Sequence, residues 1–209
     1  MTRLLVVQHE PSCPPGLLAV AADATGVGLQ LVEAPRDPVP ATPDGADGLV
    51  VLGGEMDADE TDAYPHLART MELVRVAGAR SVPTLGICLG AQLAAAALGG
   101  RAYPGPAGEE LGWTKVELTG AGRADPVTGA LSEPVELFEW HHDTFDPPPG
   151  GLLVPVAQPL PRLLVRLEGD HPRRLADDPR RVGGVQLDPE DAVLRGAAPE
   201  VEQPAFVRE

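Results

Sequence analysis

The chain has 209 residues and a formal net charge of −15, and 43% of its residues are hydrophobic but only 3% aromatic. So much negative charge repels phosphate groups, which excludes nucleic acid and anionic membrane surfaces as expected partners. The length suits a single domain over residues 1–209, with a core of Leu, Val and Ala of the kind found where helices cover a sheet.

The N-terminus and the number of cysteines indicate the expected cellular compartment. Residues 1–9 lack the long apolar stretch of a signal peptide, and no apolar run approaches the length needed to span a membrane. Two cysteines, Cys13 and Cys88, are too few for a disulfide framework. We therefore expect a cytoplasmic protein with reduced thiols.

Strand and helix patterns alternate through the first half of the chain. Apolar, β-branched runs predict strands over 3–8, 29–33, 47–52 and 82–87, and helical spacing predicts helices over 15–25 and 63–77 and a helical run over 93–98. Such alternation predicts parallel strands with right-handed crossovers. Functional residues in these sheets lie at the carboxyl ends of the strands.

The second half of the chain is richer in strands and in proline turns. Strands are predicted over 113–118, 135–140, 152–157, 163–168 and 182–187. The run Pro147-Pro148-Pro149-Gly150 indicates a surface turn. We find no internal repeat and no sign of a second domain.

A cysteine between glycines is the most informative local feature. Residues 86–92 read Gly-Ile-Cys-Leu-Gly-Ala-Gln, directly after a predicted strand and before a helix-forming run. Small neighbours permit a sharp turn with the thiol at its apex, and a helix N-terminus behind the sulfur favours the thiolate. Cys88 is therefore the candidate nucleophile, and the alternative is a buried structural cysteine.

Four motifs in the same order resemble the class I (triad) glutamine amidotransferases. They are Leu-Gly-Gly at 52–54, the cysteine elbow at 86–92, Trp-His-His-Asp-Thr-Phe at 140–145 and Gly-Val-Gln-Leu-Asp-Pro-Glu at 184–190. The resemblance implies an α/β, flavodoxin-like fold with a mostly parallel sheet flanked by helices. It also implies that a cysteine attacks the side-chain amide of glutamine, forms a γ-glutamyl thioester and releases ammonia.

Carried onto this sequence, the resemblance assigns a role to each motif. Cys88 is the nucleophile, and the backbone amides of Gly54 and Leu89 form the oxyanion hole. Gln92 helps to hold the substrate, while residues 140–143 line the pocket for its α-amino and carboxylate groups. The implied substrate-binding set is Gly53, Gly54, Leu89, Gln92, Trp140 and Asp143.

The sequence departs from the family where the catalytic base is expected. Asp188 occupies the histidine position, while Glu190, which orients that histidine, is retained. An aspartate has a reference pKa of about 4, against roughly 8.5 for a thiol, so it is a poor base for Cys88. His141 matches a frequent family histidine. His142, where glycine is usual, is an additional imidazole that could replace the base or simply titrate in solvent.

The other site classes receive no support from the sequence. No His, Cys or Asp spacing indicates a metal, the acidic run 55–62 is typical of a solvated loop, and no motif implies a cofactor. The leading hypothesis is a cysteine enzyme that forms an acyl thioester with a small glutamine-like or acyl substrate, repurposed for specialised hydrolysis or acyl transfer. The alternatives are a degenerate homologue that binds a glutamine-like ligand or regulates a synthetase partner, and a glutaminase subunit that has lost activity.

Overall fold

The computed structural model describes residues 1–106, 108–118, 120–124, 128–131, 135–146, 148, 152–154, 156–157 and 164–167. Its strands are β1 (Arg3–Gln8), β2 (Gly28–Glu33), β3 (Gly48–Val51), β4 (Thr84–Ile87), β5 (Arg101–Pro104), β6 (Glu110–Leu118), β7 (Val135–His141), β8 (Asp143–Asp146), β9 (Leu152–Val154), β10 (Val156–Ala157) and β11 (Leu164–Leu167). Its helices are α1 (Leu17–Thr25), α2 (Pro65–Ala79), α3 (Leu89–Ala97) and α4 (Gly120–Ala124), with a 3₁₀ turn at Thr128–Ala130. The strand predicted over 182–187, Asp188 and Glu190 lie outside the described residues.

The main sheet has the strand order β2-β1-β3-β4-β11-β9. Strands β2, β1, β3 and β4 are parallel, whereas β11 runs antiparallel to both β4 and β9. Strand order reverses between β1 and β3, so the carboxyl ends of these two strands flank a crevice of the kind in which α/β proteins bind ligands. The fold is α/β and flavodoxin-like, as the sequence predicts.

Hydrophobic residues alternate along the central strands and supply a core on each face of the sheet. One face packs against α2 and α3, and the other contacts Leu18 of α1. The first cluster includes Leu5, Val7, Leu49, Val51, Leu67, Leu73 and Leu93, and the second includes Val6, Val50 and Leu52. Because both faces are covered, the parallel strands are apolar along nearly their whole length.

Helix α3 positions the candidate nucleophile. Its alanine-rich sequence lets the helix lie close to the sheet, and most of its residues are buried, from Leu89 to Ala97. Helix α2 packs beside it and begins with Pro65 in the first turn, where a missing backbone N–H costs nothing. Among the described residues, no helix combines the length and the apolar character needed to cross a bilayer.

The second half of the chain differs in detail from the sequence predictions. β6 and β7 form an antiparallel pair with α4 between them in the sequence, and β5 pairs antiparallel with β8. The pattern over 101–104 and 143–146 is too polar and short to predict strands, and these strands exist because they pair with each other across the chain. The single strand predicted over 152–157 is wrong, since β9 and β10 belong to different sheets. Pro155 separates them in the sequence, and proline cannot donate a ladder hydrogen bond.

Candidate active site

Cys88 lies at a strained turn between β4 and α3. Its φ is 52° and its ψ is −118°, one of two non-glycine residues with positive φ in the described part of the chain. Such a backbone costs of order 1–3 kcal/mol and persists only when the surroundings enforce it. A Cβ on Gly86 would lie 2.6 Å from the Gly90 carbonyl oxygen, and one on Gly90 would lie 2.1 Å from that of Val51. These close approaches require both glycines and hold the turn in place.

The loop after β3 lies against this turn because β3 and β4 are neighbouring parallel strands. A Cβ built on Gly53 would lie 3.4 Å from Cys88 Cβ, and one built on Gly54 would lie 3.0 Å from Leu89 Cδ2. The two segments that the resemblance assigns to an oxyanion hole are therefore adjacent. A peptide amide from each segment could donate to one developing negative charge.

Burial dominates the protonation of Cys88. The sulfur is half-buried, and loss of solvation raises the pKa of the Cys88 thiol above its ordinary value. The backbone N–H of Leu89 lowers this pKa and Cys13 raises it, with smaller effects than burial. The expected effect of the helix N-terminus, which favours the thiolate, is therefore smaller than the effect of burial, and the net shift of the Cys88 pKa is upward.

The thiol has a backbone acceptor on the β7 side of the site. The distance from Cys88 Sγ to the Trp140 carbonyl oxygen is 4.0 Å, which suits a weak S–H donor. Within the described residues, this is the hydrogen bond that the thiol donates, and no hydrogen bond joins the sulfur to His141 or His142. The Trp140 side chain is exposed.

The remaining predicted pocket residues lie on α3, β8 and the residue before β8. Gln92 Nε2 donates to the Asp143 carbonyl oxygen over 3.4 Å, and the Gln92 side chain is buried. His142 Nδ1 lies 3.1 Å from Asp143 Oδ1, and its side chain is 61% exposed. His141 turns the other way, towards Glu110 and Glu139. The two adjacent histidines therefore have separate environments.

Two residues near the site carried no sequence signal. Cys13, in the loop after β1, has its sulfur 3.9 Å from the point where a Gly53 Cβ would lie, so both thiols flank Gly53. Asp57 belongs to the acidic run expected to be solvated, and it is exposed. Burial and the nearby carboxylate of Asp143 nevertheless raise the pKa of the Asp57 carboxyl, and His142 opposes this shift. Cys13 and Asp57 lie near the site because the ends of the strands converge in the fold, which no local sequence pattern records.

Comparison with known proteins identifies the family. A family model described as Glutamine amidotransferase class-I matches residues 17–192, a range that includes Asp188 and Glu190. One subunit of the glutamine-hydrolyzing GMP synthase from Natronomonas pharaonis is 32% identical over 151 residues, which are 72% of this chain and 72% of that protein. A γ-glutamyl-L-1-hydroxyisopropylamide hydrolase from Pseudomonas sp. is 34% identical over 127 residues, 57% of this chain.

The solved structures include a glutamine amidotransferase from Methylobacillus flagellatus, with a TM-score of 0.66 and 32% sequence identity over 74% of this chain. The matched region spans 61% of that chain and 42% of the Pseudomonas hydrolase, which is less than two thirds of either. The chain belongs to the class I glutamine amidotransferase family.

Proposed function

We propose that Cys88 is the nucleophile of an enzyme that cleaves a γ-glutamyl amide or ester through a covalent thioester. The observation that carries the proposal is the strained backbone of Cys88, held by Gly86 and Gly90 beside the loop Gly53-Gly54. The Pseudomonas relative, by name a γ-glutamyl amide hydrolase, supports a substrate of this class.

In the proposed reaction, Cys88 Sγ attacks the carbonyl carbon of the substrate, and the backbone N–H groups of Gly54 and Leu89 donate to the oxyanion. The thiol proton passes to a base and then to the departing amine or alcohol as its bond to the carbonyl carbon breaks. Water attacks the resulting thioester and gives up a proton to the base, which returns it to the sulfur. An amine in place of the water would give acyl transfer.

The identity of the base limits the substrates that such an enzyme can cleave. Moving a proton from a thiol to Asp188 is uphill by about 6 kcal/mol from reference pKa values, against about 3 kcal/mol for a histidine. The raised pKa of Cys88 adds to that barrier. We therefore propose a specialised substrate with a good leaving group in place of glutamine. His142 is the second candidate base, because its Nδ1 is oriented by Asp143 and its Nε2 stays available.

The acidic groups beside His142 fit the α-ammonium group of a glutamyl substrate. Asp143 lies close enough to Asp57 for its negative charge to help raise the pKa of the Asp57 carboxyl, after the larger effect of burial. A bound ammonium group would relieve that repulsion and orient the γ-carbonyl. We propose Asp57 as a substrate-binding residue in addition to Gly53, Gln92, Trp140 and Asp143.

A second candidate function is binding without catalysis, as a sensor of a glutamine-like ligand or a regulator of a synthetase partner. The raised pKa of the Cys88 thiol and its hydrogen bond to the Trp140 carbonyl favour this candidate, as does the lack of a hydrogen bond from an imidazole to the sulfur in the described part of the chain. The GMP synthase relative supports a synthetase partner.

Mass spectrometry after incubation with γ-glutamyl amides and esters separates the two candidates. The enzyme predicts a γ-glutamyl adduct on Cys88 and product that accumulates over hours, both lost in Cys88→Ser. Cys13→Ser is the matched control, because it removes the neighbouring thiol and should still give both the Cys88 adduct and the product. Saturable binding with neither adduct nor product would refute the enzyme and support the sensor.

Substitutions at two further positions identify the base. If Asp188 replaces the family histidine at a cost, Asp188→His should raise glutamine hydrolysis by about 10²- to 10³-fold, since acid–base catalysis contributes on this scale. If His142 has taken over, His142→Ala and His142→Gly should both abolish turnover of the true substrate. Vigorous glutamine hydrolysis by the unmodified protein alone would refute the assignment of a weakened base.

A further inference from the structure

The antiparallel strands β6 and β7 place three side chains of metal-binding type on one face of the strand pair. Glu110 pairs directly with His141 in the register between β6 and β7, and Glu139 lies two residues before His141 on β7. Directly paired residues share a face of the ribbon, as do residues two apart on one strand. On β7 this face also carries Val135 and Leu137, whereas Trp140 is exposed on the other face.

The three side chains converge on one point. His141 Nε2 lies 3.5 Å from Glu139 Oε2 and 3.8 Å from Glu110 Oε2, and one donor atom from each residue lies within 4.8 Å of the others. Their side chains are 8%, 5% and 19% exposed for His141, Glu139 and Glu110. The site is therefore largely withdrawn from water and opens on the Glu110 side.

The imidazole of His141 is incompletely satisfied. Neither ring nitrogen of His141 has a hydrogen-bond partner in the described part of the chain, although both are buried. Buried polar groups without a hydrogen bond are uncommon and call for a physical reason. A divalent cation would satisfy a ring nitrogen of His141, and one carboxylate oxygen from each glutamate lies near enough to bind the same ion.

We propose that Glu110, Glu139 and His141 bind a divalent transition-metal ion of the zinc class. Zinc takes nitrogen and carboxylate oxygen at about 2.0–2.2 Å, so tetrahedral ligand atoms lie about 3.3 Å apart. The His141–glutamate separations of 3.5 and 3.8 Å need a contraction of a few tenths of an ångström. The two carboxylate oxygens lie within 4.8 Å of each other and would approach by up to about 1.5 Å. The imidazole favours zinc over calcium or magnesium, which prefer oxygen alone. A solvent molecule on the Glu110 side completes the shell.

The ion would fix the wall of the neighbouring site. Trp140 lies between the two β7 ligands in sequence, and its carbonyl oxygen is the acceptor for the Cys88 thiol. Metal binding would hold that carbonyl in place, so the ligands act on Cys88 as positioning residues. The metal site itself does not depend on which chemistry Cys88 performs.

Zinc titration of the full chain, stripped with a chelator and dialysed, tests the proposal. We use the Cys13→Ser, Cys88→Ser background, so that thiols cannot bind the ion. Calorimetry and elemental analysis should give one zinc per chain. Glu139→Gln and Glu110→Gln should each weaken binding at least tenfold. Glu136→Gln is the matched control, because Glu136 lies on β7 with an exposed side chain paired to Lys115, and its affinity should stay within twofold.

A second readout does not depend on the variants folding well. Cobalt bound to the same background should show the visible spectrum of a nitrogen and oxygen site, and zinc should raise the thermal unfolding temperature. Absence of stoichiometric zinc binding would refute the proposal and leave His141 as an ion-pair partner of the two glutamates. Unchanged affinity in Glu139→Gln and Glu110→Gln would also refute it, because the ion would then lie elsewhere.

Discussion

Replacing His9 with glutamine should reduce the loss in free energy of unfolding that the protein shows at acid pH. His9 follows β1, is 1% exposed and stacks on the His66 ring at 5.4 Å between centroids. Burial, with a smaller effect of His66, lowers the pKa of His9 from 6.5 to about 4. In the unfolded chain His9 therefore binds a proton near pH 6.5, whereas in the folded chain it binds one only near pH 4. The free energy of unfolding falls as pH drops through this window.

The size of the effect follows from that shift. A difference of 2.5 pKa units corresponds to about 3 kcal/mol once the window has been crossed, of which about 2 kcal/mol is lost by pH 5. Urea unfolding of both proteins from pH 7.5 to pH 5 measures the loss while most carboxylates stay ionised. His9→Gln should lose about 2 kcal/mol less than the unmodified chain, whatever its own stability at pH 7.5. Parallel pH dependence in the two proteins, or a His9 ring that titrates near pH 6.5 by NMR, would refute the reasoning.

Three predictions concern the Cys88 turn. Because burial raises the pKa of Cys88, its iodoacetamide rate should rise with pH to a midpoint above that of an ordinary thiol, and a midpoint below pH 7 would contradict this. Cys88→Gly should be more stable to urea than Cys88→Ala by about 1 kcal/mol, the reverse of the usual order, because φ is positive there. Gly90→Ala should lower the free energy of unfolding by at least about 3 kcal/mol through its clash with β3, whereas Gly120→Ala, which meets nothing within 4 Å, should stay within about 0.5 kcal/mol.

Local pattern accounts for the first half of the fold. The strand predicted over 3–8 agrees with β1, and the one predicted over 82–87 begins two residues before β4. The first has an unbroken apolar run over 4–7, and the second carries the β-branched residues Val82, Thr84 and Ile87, so sequence alone carries the information. β5 and β8 have no such run, because Arg101–Pro104 and Asp143–Asp146 become strands only by pairing with each other. Their formation is a tertiary effect that local propensity does not record.

The same distinction applies to the functional residues. The rule that parallel strands place their carboxyl ends at one edge predicts that Gly53 and Cys88 can meet, and they lie in contact. The three candidate metal ligands are different, because the sequence predicts no metal site and Glu110 is far from Glu139 along the chain. Only the register between β6 and β7, which pairs Glu110 with His141, brings them together. A shift of one residue in that register would move Glu110 to the opposite face.

The backbone at Cys88 bears on whether the cysteine is structural or chemical. Burial alone explains a cysteine inside a strand or helix, where its conformation is unstrained. It does not explain a cysteine at φ 52°, where glycine would avoid the strain and where Gly86 and Gly90 are both needed to permit the turn. The turn places Cys88 directly before α3, with the Leu89 N–H acting on its thiol and Gly53 beside its Cβ. The reaction proposed above would account for a thiol at this strained position, and packing provides no equivalent reason.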